Sequence, residues 1–220
     1  MRPTASLTVR NLSDQLVDLV RDRILSGGVS PGSPIRQDAL ASEFGVSKIP
    51  LREALARLEQ EGLVQSHANR GFFVRALSAA EAEEVYDLRL TLEPIVTVAA
   101  ALNASEEDRM IARERLVSLE QVIGAGGEGA GAFNRAFHLA LLRPSARQVA
   151  VGILERLHTL SERYVRKHLE SLGHDERAVE EHRTILDAWL ARDGERLREL
   201  TAAHIRNTLH DLRRQLSAAI

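Results

Sequence analysis

The sequence predicts a mainly α-helical chain of two domains, a small N-terminal domain that ends in a β-hairpin and a larger all-α C-terminal domain. Three observations predict this fold class. Short helical patterns before Arg75 are separated by Gly/Pro turns, and the sequence after Ser78 is almost entirely helical. The sign of the charge changes at the same place. We therefore predict a first domain over residues 1–76 and a second over 77–220.

The composition excludes several classes of protein. The 220 residues have a formal net charge of −2, but the part up to Arg75 carries 10 Lys+Arg and 8 Asp+Glu, and the remainder 19 and 23. A domain of +2 therefore precedes one of −4, and the chain average hides a mildly basic N-terminal domain. The absence of cysteine excludes disulfides, thiolate metal sites and cysteine nucleophiles. No apolar run approaches the roughly 20 residues of a membrane span, so we expect no membrane partner and a cytoplasmic location.

Three helices are predicted in the N-terminal domain. The first covers residues 13–26, the second 37–44, and a third follows the turn at Gly45, with Ser47 as its N-cap. Arg57 and Glu61 stand four residues apart on this third helix and are expected to form a surface pair. The apolar positions at helical spacing are Leu16, Leu19, Val20 and Ile24 in the first helix and Leu51, Leu55 and Leu58 in the third.

Two strands, 63–66 and 72–75, are predicted after the third helix, around a turn that contains Gly71. Helix, helix, turn, helix and hairpin in this order is the winged helix-turn-helix arrangement. Its third helix offers backbone N–H groups and polar side chains to DNA, and Arg70 at the hairpin tip can enter an adjacent minor groove. The side chains projected from the first turns of that helix are Ser47, Lys48, Ile49 and Arg52.

Four segments of this domain resemble the DNA-binding domain of GntR-superfamily regulators: RQDALA at 36–41, GVSKIPLREAL at 45–55, EGLV at 61–64 and NRG at 69–71. Lys48 stands where the family more often has Arg, so a point charge replaces a two-pronged donor. The resemblance implies that DNA is contacted by Arg36, Ser47, Lys48, Arg52, Arg70 and Gly71.

Six helices are predicted in the C-terminal domain, and their short connections favour an antiparallel bundle. Ser78 and Glu81 have the spacing of a capping box at the start of the first helix, and Pro94 is expected to bend that helix. The six helices are predicted over 78–103, 105–123, 131–142, 145–172, 174–192 and 194–216.

Three histidines lie near the inward stripes of three different helices. His138 follows Asn134 by four residues, so the two share a helical face, while His182 and His204 lie on the last two helices. Convergence of these imidazoles in the bundle would suit zinc, nickel, iron or copper. On the spacing alone, however, ordinary core or surface histidines are the default interpretation.

The C-terminal domain resembles the FCD ligand-sensing domain of the FadR subfamily, and its six helices indicate the VanR-like branch. The resemblance implies a divalent metal, zinc or nickel before manganese or iron, held by Asn134, His138, His182 and His204. The family has Asp where this chain has Asn134, which removes a negative charge, and a metal-free or anion-binding pocket is the alternative. The resemblance also implies that Arg89 binds the carboxylate of an effector; the alternative is a surface pair with Glu93. His158, His168, His174 and His210 match no such pattern and are expected to be structural or exposed.

These observations predict a regulator rather than an enzyme: a homodimer that binds a palindromic operator in double-stranded DNA and responds to a small organic acid. The family most often represses transcription. Two alternatives stay open on the sequence. One is a three-histidine metal enzyme, although no His-Glu-x-x-His motif is present. The other is a metal-free sensor of CoA esters, which would have no use for the three histidines.

Overall fold

The computed structural model describes residues 12–127, 129–169 and 174–217. These residues form nine α-helices, one short 3-10 helix and a two-stranded antiparallel sheet. The predicted fold class is confirmed. The chain divides into two compact units, Met1–Ala76 and Leu77–Ile220. No helix in the described ranges is long and apolar enough to cross a membrane.

The first unit contains three helices and a hairpin. Its strands pair with Val64 opposite Val74 and His67 opposite Gly71, so the hairpin turn spans 68–70. The bounds are α1 Leu12–Leu25, α2 Gln37–Glu43, α3 Lys48–Gln60, β1 Val64–His67 and β2 Gly71–Val74.

The core of this unit lies between α1, α3 and the hairpin. The predicted stripe of α3 is fully buried, at 0% exposure for Leu51, Leu55 and Leu58. In α1 the expected stripe is wrong at one position: Leu19 is half exposed and Val17 is buried instead. Residues 13, 16, 17, 20 and 24 lie on one face at 100° per residue, and position 19 lies outside it.

The predicted Arg57–Glu61 surface pair is wrong, because both side chains reach across to α1. Arg57 pairs with Asp14, and the Glu61 carboxylate accepts two hydrogen bonds from Arg21, at 2.7 and 2.9 Å. A pairing between packed helices competes with the pairing within one helix, and here the packed neighbour provides the better-placed partner.

The second unit is a bundle of six α-helices in the described residues. Glu83 near the start of α4 pairs with Arg213 near the end of α9, and a Cβ on Gly194 would lie 3.1 Å from Val98, so these two helices are antiparallel. The bounds are α4 Ala79–Asn103, α5 Glu106–Gly124, α6 Ala130–Leu142, α7 Gln148–Leu169, α8 His174–Ala191 and α9 Gly194–Ser217.

Two predicted helix starts differ in detail. The Ser78 hydroxyl accepts a hydrogen bond from the Glu81 N–H, which is one half of the predicted capping box. In the other half the Ser78 N–H would donate to the Glu81 side chain, but it donates to the Tyr164 hydroxyl instead. The helix predicted from Ser145 begins only at Gln148, after a 3-10 turn and a left-handed Ala146 that interrupt the helical backbone. Its predicted end at Leu172 lies outside the described residues.

Candidate nucleic-acid interface and metal centre

The side chains predicted to contact DNA are exposed at the N-terminal ends of α2 and α3 and at the hairpin tip. Ser47 is the N-cap of α3 by its backbone, but its hydroxyl makes no capping hydrogen bond and stays available. Ile49 is 72% exposed although it is aliphatic, so it has no part in the core. An exposed aliphatic side chain beside polar ones is suited to contact with a thymine methyl group.

The basic side chains of this surface differ in their partners. Lys48 pairs with the exposed Asp38 of α2. Arg52 is exposed, and the structure gives it no ion pair within the described residues. Arg36 is the exposed N-cap residue of α2. The Arg70 guanidinium lies 5.4 Å from the centre of the Phe73 ring, a cation–π contact that supports it at the hairpin tip.

Two glycines allow the backbone that presents these groups. Gly45 has φ +64 in the turn before α3, and Gly71 has φ +82 where β2 begins. At Gly71 a Cβ would also lie 3.1 Å from the Gln37 amide nitrogen. A side chain at position 71 would therefore be strained both by the left-handed backbone and by the space.

In the second unit, His138 of α6, His182 of α8 and His204 of α9 come together. One ring nitrogen from each lies within 4.8 Å of the other two. The ring centres are 4.7 Å apart for His182 and His204 and 5.1 Å apart for His138 and His182. All three side chains are buried. Three imidazole nitrogens this close together are a candidate set of ligands for one metal ion.

The hydrogen bonding of these rings fits a metal. Within the described residues, Nε2 of His138 and both ring nitrogens of His182 are buried without a hydrogen-bond partner. Buried nitrogens without partners are costly, and several together in one place need an explanation. A divalent ion is a natural acceptor for such lone pairs, so the residues present fit a bound metal.

Beside this triad of His138, His182 and His204 lies a buried ion pair. The Arg89 guanidinium donates to the Glu93 carboxylate at 2.8 Å through Nε and at 3.3 Å through a terminal nitrogen, and it donates to the Ser161 hydroxyl at 3.2 Å. The pairing with Glu93 expected as the alternative for Arg89 is therefore present. It is not a surface pair, because both side chains are buried.

His158 joins this buried group, and sequence reasoning did not place it there. Its ring stacks on His138 with centres 5.1 Å apart, and its Nε2 lies 3.2 Å from the Glu93 carboxylate. The Glu93 carboxylate also lies 3.6 Å from Nδ1 of His138. A signal for His158 was present in the sequence, because Leu154, His158 and Ser161 recur at the spacing of one helical face.

Among the other residues singled out in the sequence, Asn134 is half-buried on α6, one turn before His138, and its amide has no hydrogen-bond partner within the described residues. His210 was expected to be structural or exposed, and it is exposed on α9. The side chains of His168 and His174 lie outside the part that the structure describes.

Burial and neighbouring charges determine the charge state of the buried histidines and of Glu93. Burial in the bundle lowers the pKa of His138 and of His182 well below the ordinary value, and it lowers the pKa of His158. Burial alone would raise the pKa of Glu93, but the charge of Arg89 and the contacts with His158 and His138 together outweigh burial and hold that pKa well below its ordinary value. His138, His158 and His182 are therefore neutral near pH 7, and a neutral imidazole is the form that binds metal.

We expect the metal-free protein to lose stability as the pH falls below about 6.5, the pKa of histidine in an unfolded chain. Below that pH the histidines of the unfolded chain bind protons, whereas the buried His138, His158 and His182 of the folded protein stay neutral. The free energy of unfolding should then fall by up to about 1.4 kcal/mol per pH unit for each histidine. Urea unfolding in the presence of a chelator, followed by fluorescence of the buried Trp189, measures it.

The control for this pH dependence is His138→Gln, which removes one of the three groups. It should make the slope between pH 6.5 and 5 shallower. Glu93 does not act in this window, because a carboxylate with a lowered pKa loses its contribution only as the pH falls below about 4.5. An unchanged slope in His138→Gln would show that His138 titrates alike in both states.

Comparison with known protein families identifies a family for each of the two units. Residues 12–74 match the model of "Bacterial regulatory proteins, gntR family", and residues 84–207, more than half of the chain, match the FCD domain. The chain belongs to the GntR family of bacterial regulatory proteins. It is a transcriptional regulator of the GntR/FCD type, and members of this family are regulators, not enzymes, which excludes the three-histidine enzyme.

Similar proteins cover nearly the whole chain of this GntR/FCD regulator. It is 29% identical over 207 residues to YdhC, an uncharacterized HTH-type transcriptional regulator of Bacillus subtilis, covering 92% of this chain and 91% of the relative. It is 29% identical to the HTH-type transcriptional repressor GlaR of Escherichia coli, covering 84% and 89%. The structure of E. coli McbR/YncC shares the fold, with a TM-score of 0.82 at 23% identity over 93% of this chain and 98% of that one.

Proposed function

We propose that this GntR/FCD regulator is a homodimer that binds a palindromic operator through residues 1–76 and senses a divalent metal with a small organic acid through residues 77–220. The observation that carries the sensing part is the group of buried imidazoles of His138, His182 and His204, with nitrogens that have no partner. A metal-free sensor of CoA esters would leave those nitrogens without a purpose. The location is cytoplasmic, where the DNA is.

On the DNA, α3 lies in the major groove. Arg52 binds a guanine edge or a phosphate, Lys48 a phosphate after release from Asp38, and Ile49 a thymine methyl group. The free Ser47 hydroxyl and Arg36 bind backbone phosphates, and Arg70 enters the minor groove with Gly71 allowing a close approach. Because this unit has a net charge of only +2, we expect affinity to depend on two copies and a few placed side chains.

An apolar stripe on α4 supports the homodimer. Leu88, Ile95 and Leu102 are exposed at intervals of seven residues, so they lie on one side of the helix. On α7, which packs against α4, Val149 and Ile153 are exposed as well. Exposed apolar side chains in such a pattern mark surfaces that associate, and a second copy of this chain presents the same stripe.

In the metal centre, His138, His182 and His204 each supply one imidazole nitrogen and Asn134 its amide oxygen. The bound ion would supply Lewis acidity that attracts the carboxylate of an effector. Zinc or nickel suits the imidazoles best, with manganese or iron after them. Since all four protein ligands are neutral, an anionic effector balances the charge of the ion.

Arg89 keeps donors for that effector. A guanidinium has five N–H groups, and those that bond Glu93 and Ser161 account for three. This guanidinium also packs against the Tyr86 ring, 5.1 Å from its centre, and we assign its other two N–H groups to a second carboxylate or hydroxyl group of the effector. Effector binding would shift the bundle between two conformations and so change the affinity for DNA. The relative GlaR is named a repressor, and we propose repression for this chain too.

The experiment that tests the sensing part is a screen of small organic acids by thermal unfolding, with and without zinc or nickel. We expect acids that raise the melting temperature only when the metal is present, since a ligand of the folded state stabilises it. The same acids should release the protein from DNA. Stabilisation by CoA esters without metal would instead favour the alternative sensor.

We expect Asn134→Asp to raise the affinity for zinc, because it restores a negative charge at a proposed ligand position. Competition against a chromophoric chelator measures the change. The control is Gln121→Glu, which introduces the same charge at an exposed position of α5. An Asn134→Asp protein with the affinity of the original would show that position 134 is not a ligand.

A further inference from the structure

A carboxylate lies against one histidine of the metal centre. The Glu181 side chain of α8 has one oxygen 2.6 Å from Nδ1 of His204 on α9. Its other oxygen accepts a hydrogen bond of 2.8 Å from the Asn207 amide, one turn further along α9. Arg177, one turn earlier on α8, lies 3.6 Å from the same oxygen. Glu181 is therefore held in place by groups from two helices.

This contact determines which nitrogen of His204 can bind an ion. At 2.6 Å from a carboxylate oxygen, Nδ1 carries the proton of a hydrogen bond and has no lone pair to offer. The nitrogen left for a metal is Nε2. Histidine ligands in metal sites commonly donate their other N–H to a carboxylate in this way, which fixes the tautomer and makes the ligand more basic.

The three histidines of the triad differ in this respect. His138 has the Glu93 carboxylate near its Nδ1, but at 3.6 Å, and Glu93 already accepts two hydrogen bonds from Arg89. His182 has no hydrogen-bond partner on either nitrogen within the described residues. Among these rings, His204 has the shortest contact with a carboxylate, and Glu181 adds negative charge close to a centre whose proposed ligands are neutral.

We propose that Glu181 is a positioning residue of the metal centre: it holds His204 in the Nδ1–H tautomer, directs Nε2 to the ion, and partly replaces the negative charge that Asn134 does not provide. The proposal rests on the metal site of the proposed function. It assigns a role to Glu181, which lies beside His182 in the sequence but acts on His204 of the next helix.

The test uses Glu181→Ala in the full-length protein. In metal-free protein, at a pH at which the ring is neutral, nitrogen-15 NMR of the imidazoles should show His204 as Nδ1–H in the original and a mixture of tautomers in the variant. The His204 signals are assigned from their absence in His204→Gln. Zinc affinity should fall by about 10- to 100-fold, the usual effect of losing an outer carboxylate.

Two further variants make the test specific. Glu180→Ala removes the same charge from the neighbouring, exposed position of α8 and should change neither the tautomer nor the affinity. Glu181→Gln keeps an acceptor oxygen and should retain the tautomer, with an affinity between those of the original and Glu181→Ala. If Glu181→Ala does not fold, the zinc affinity of Glu181→Gln tests the proposal in its place.

Two results would overturn the proposal: an unchanged His204 tautomer in Glu181→Ala, or zinc affinity equal to that of the original protein. Failure of the metal site itself gives a different result. In that case the original protein takes up no zinc or nickel, and the tautomer of His204 in metal-free protein still decides whether Glu181 orients the ring.

Discussion

Arg52→Ala is expected to abolish specific DNA binding while leaving the fold intact. Arg52 is exposed in the first turns of α3, and it has no ion pair within the described residues. Loss of a two-pronged contact to a guanine should cost about 1–3 kcal/mol in each subunit, and a dimer loses it twice. Gel-shift titration on a DNA site selected by the original protein measures the loss.

The matched control is Arg57→Ala, which removes an arginine from the same helix. Arg57 pairs with Asp14 of α1, so its guanidinium is engaged inside the unit. We expect Arg57→Ala to bind DNA nearly as the original does, with at most a small loss of stability, since exposed pairs contribute about 0–1 kcal/mol. Equal loss in both variants would point to general charge, and full affinity in Arg52→Ala would refute the recognition role of α3.

The double change His182→Gln and His204→Gln is expected to remove metal binding and the response to effector, but to leave basal DNA binding. It takes away two of the three converging imidazoles, while Gln keeps most of the buried volume. The loss in zinc affinity should exceed the roughly 100-fold that removal of an outer partner costs. Metal analysis after dialysis, together with gel shifts in the presence of an effector from the screen, measures both effects.

His210→Gln is the control for that double change, because His210 is an exposed histidine of the same helix α9. It should bind zinc as the original does. A double variant that still responds to effector with an unchanged dose dependence would place the sensing site elsewhere in the bundle.

Local patterns in the sequence were sufficient for most of the fold. The stripe of Leu51, Leu55 and Leu58 and the turn at Gly45 are features of a few consecutive residues, and they position α3 correctly. The predicted pair that is wrong, Arg57 with Glu61, is replaced in the structure by contacts between different helices. Arg57 and Glu61 have the right spacing for each other, but each has a partner on α1, and spacing along one helix cannot reveal a competitor on another.

The candidate metal centre was predictable in part. The spacing of His138, His182 and His204 alone favoured ordinary core or surface histidines, and only the family resemblance favoured a metal site. The surroundings were not predictable, because they depend on rotations between helices. Glu181 precedes His182 in the sequence yet contacts His204, and His158, from a fourth helix, stacks on His138.

Selection of duplex DNA from a random-sequence pool by the purified protein shows directly whether two copies of the chain bind an inverted repeat. Binding of two α3 helices related by a two-fold axis predicts enrichment of one inverted repeat, with equivalent half-sites about one or a multiple of a helical turn apart. The Arg52→Ala protein should enrich no such repeat. Recovery of no preferred sequence by the original protein would show that it is not a sequence-specific DNA-binding dimer.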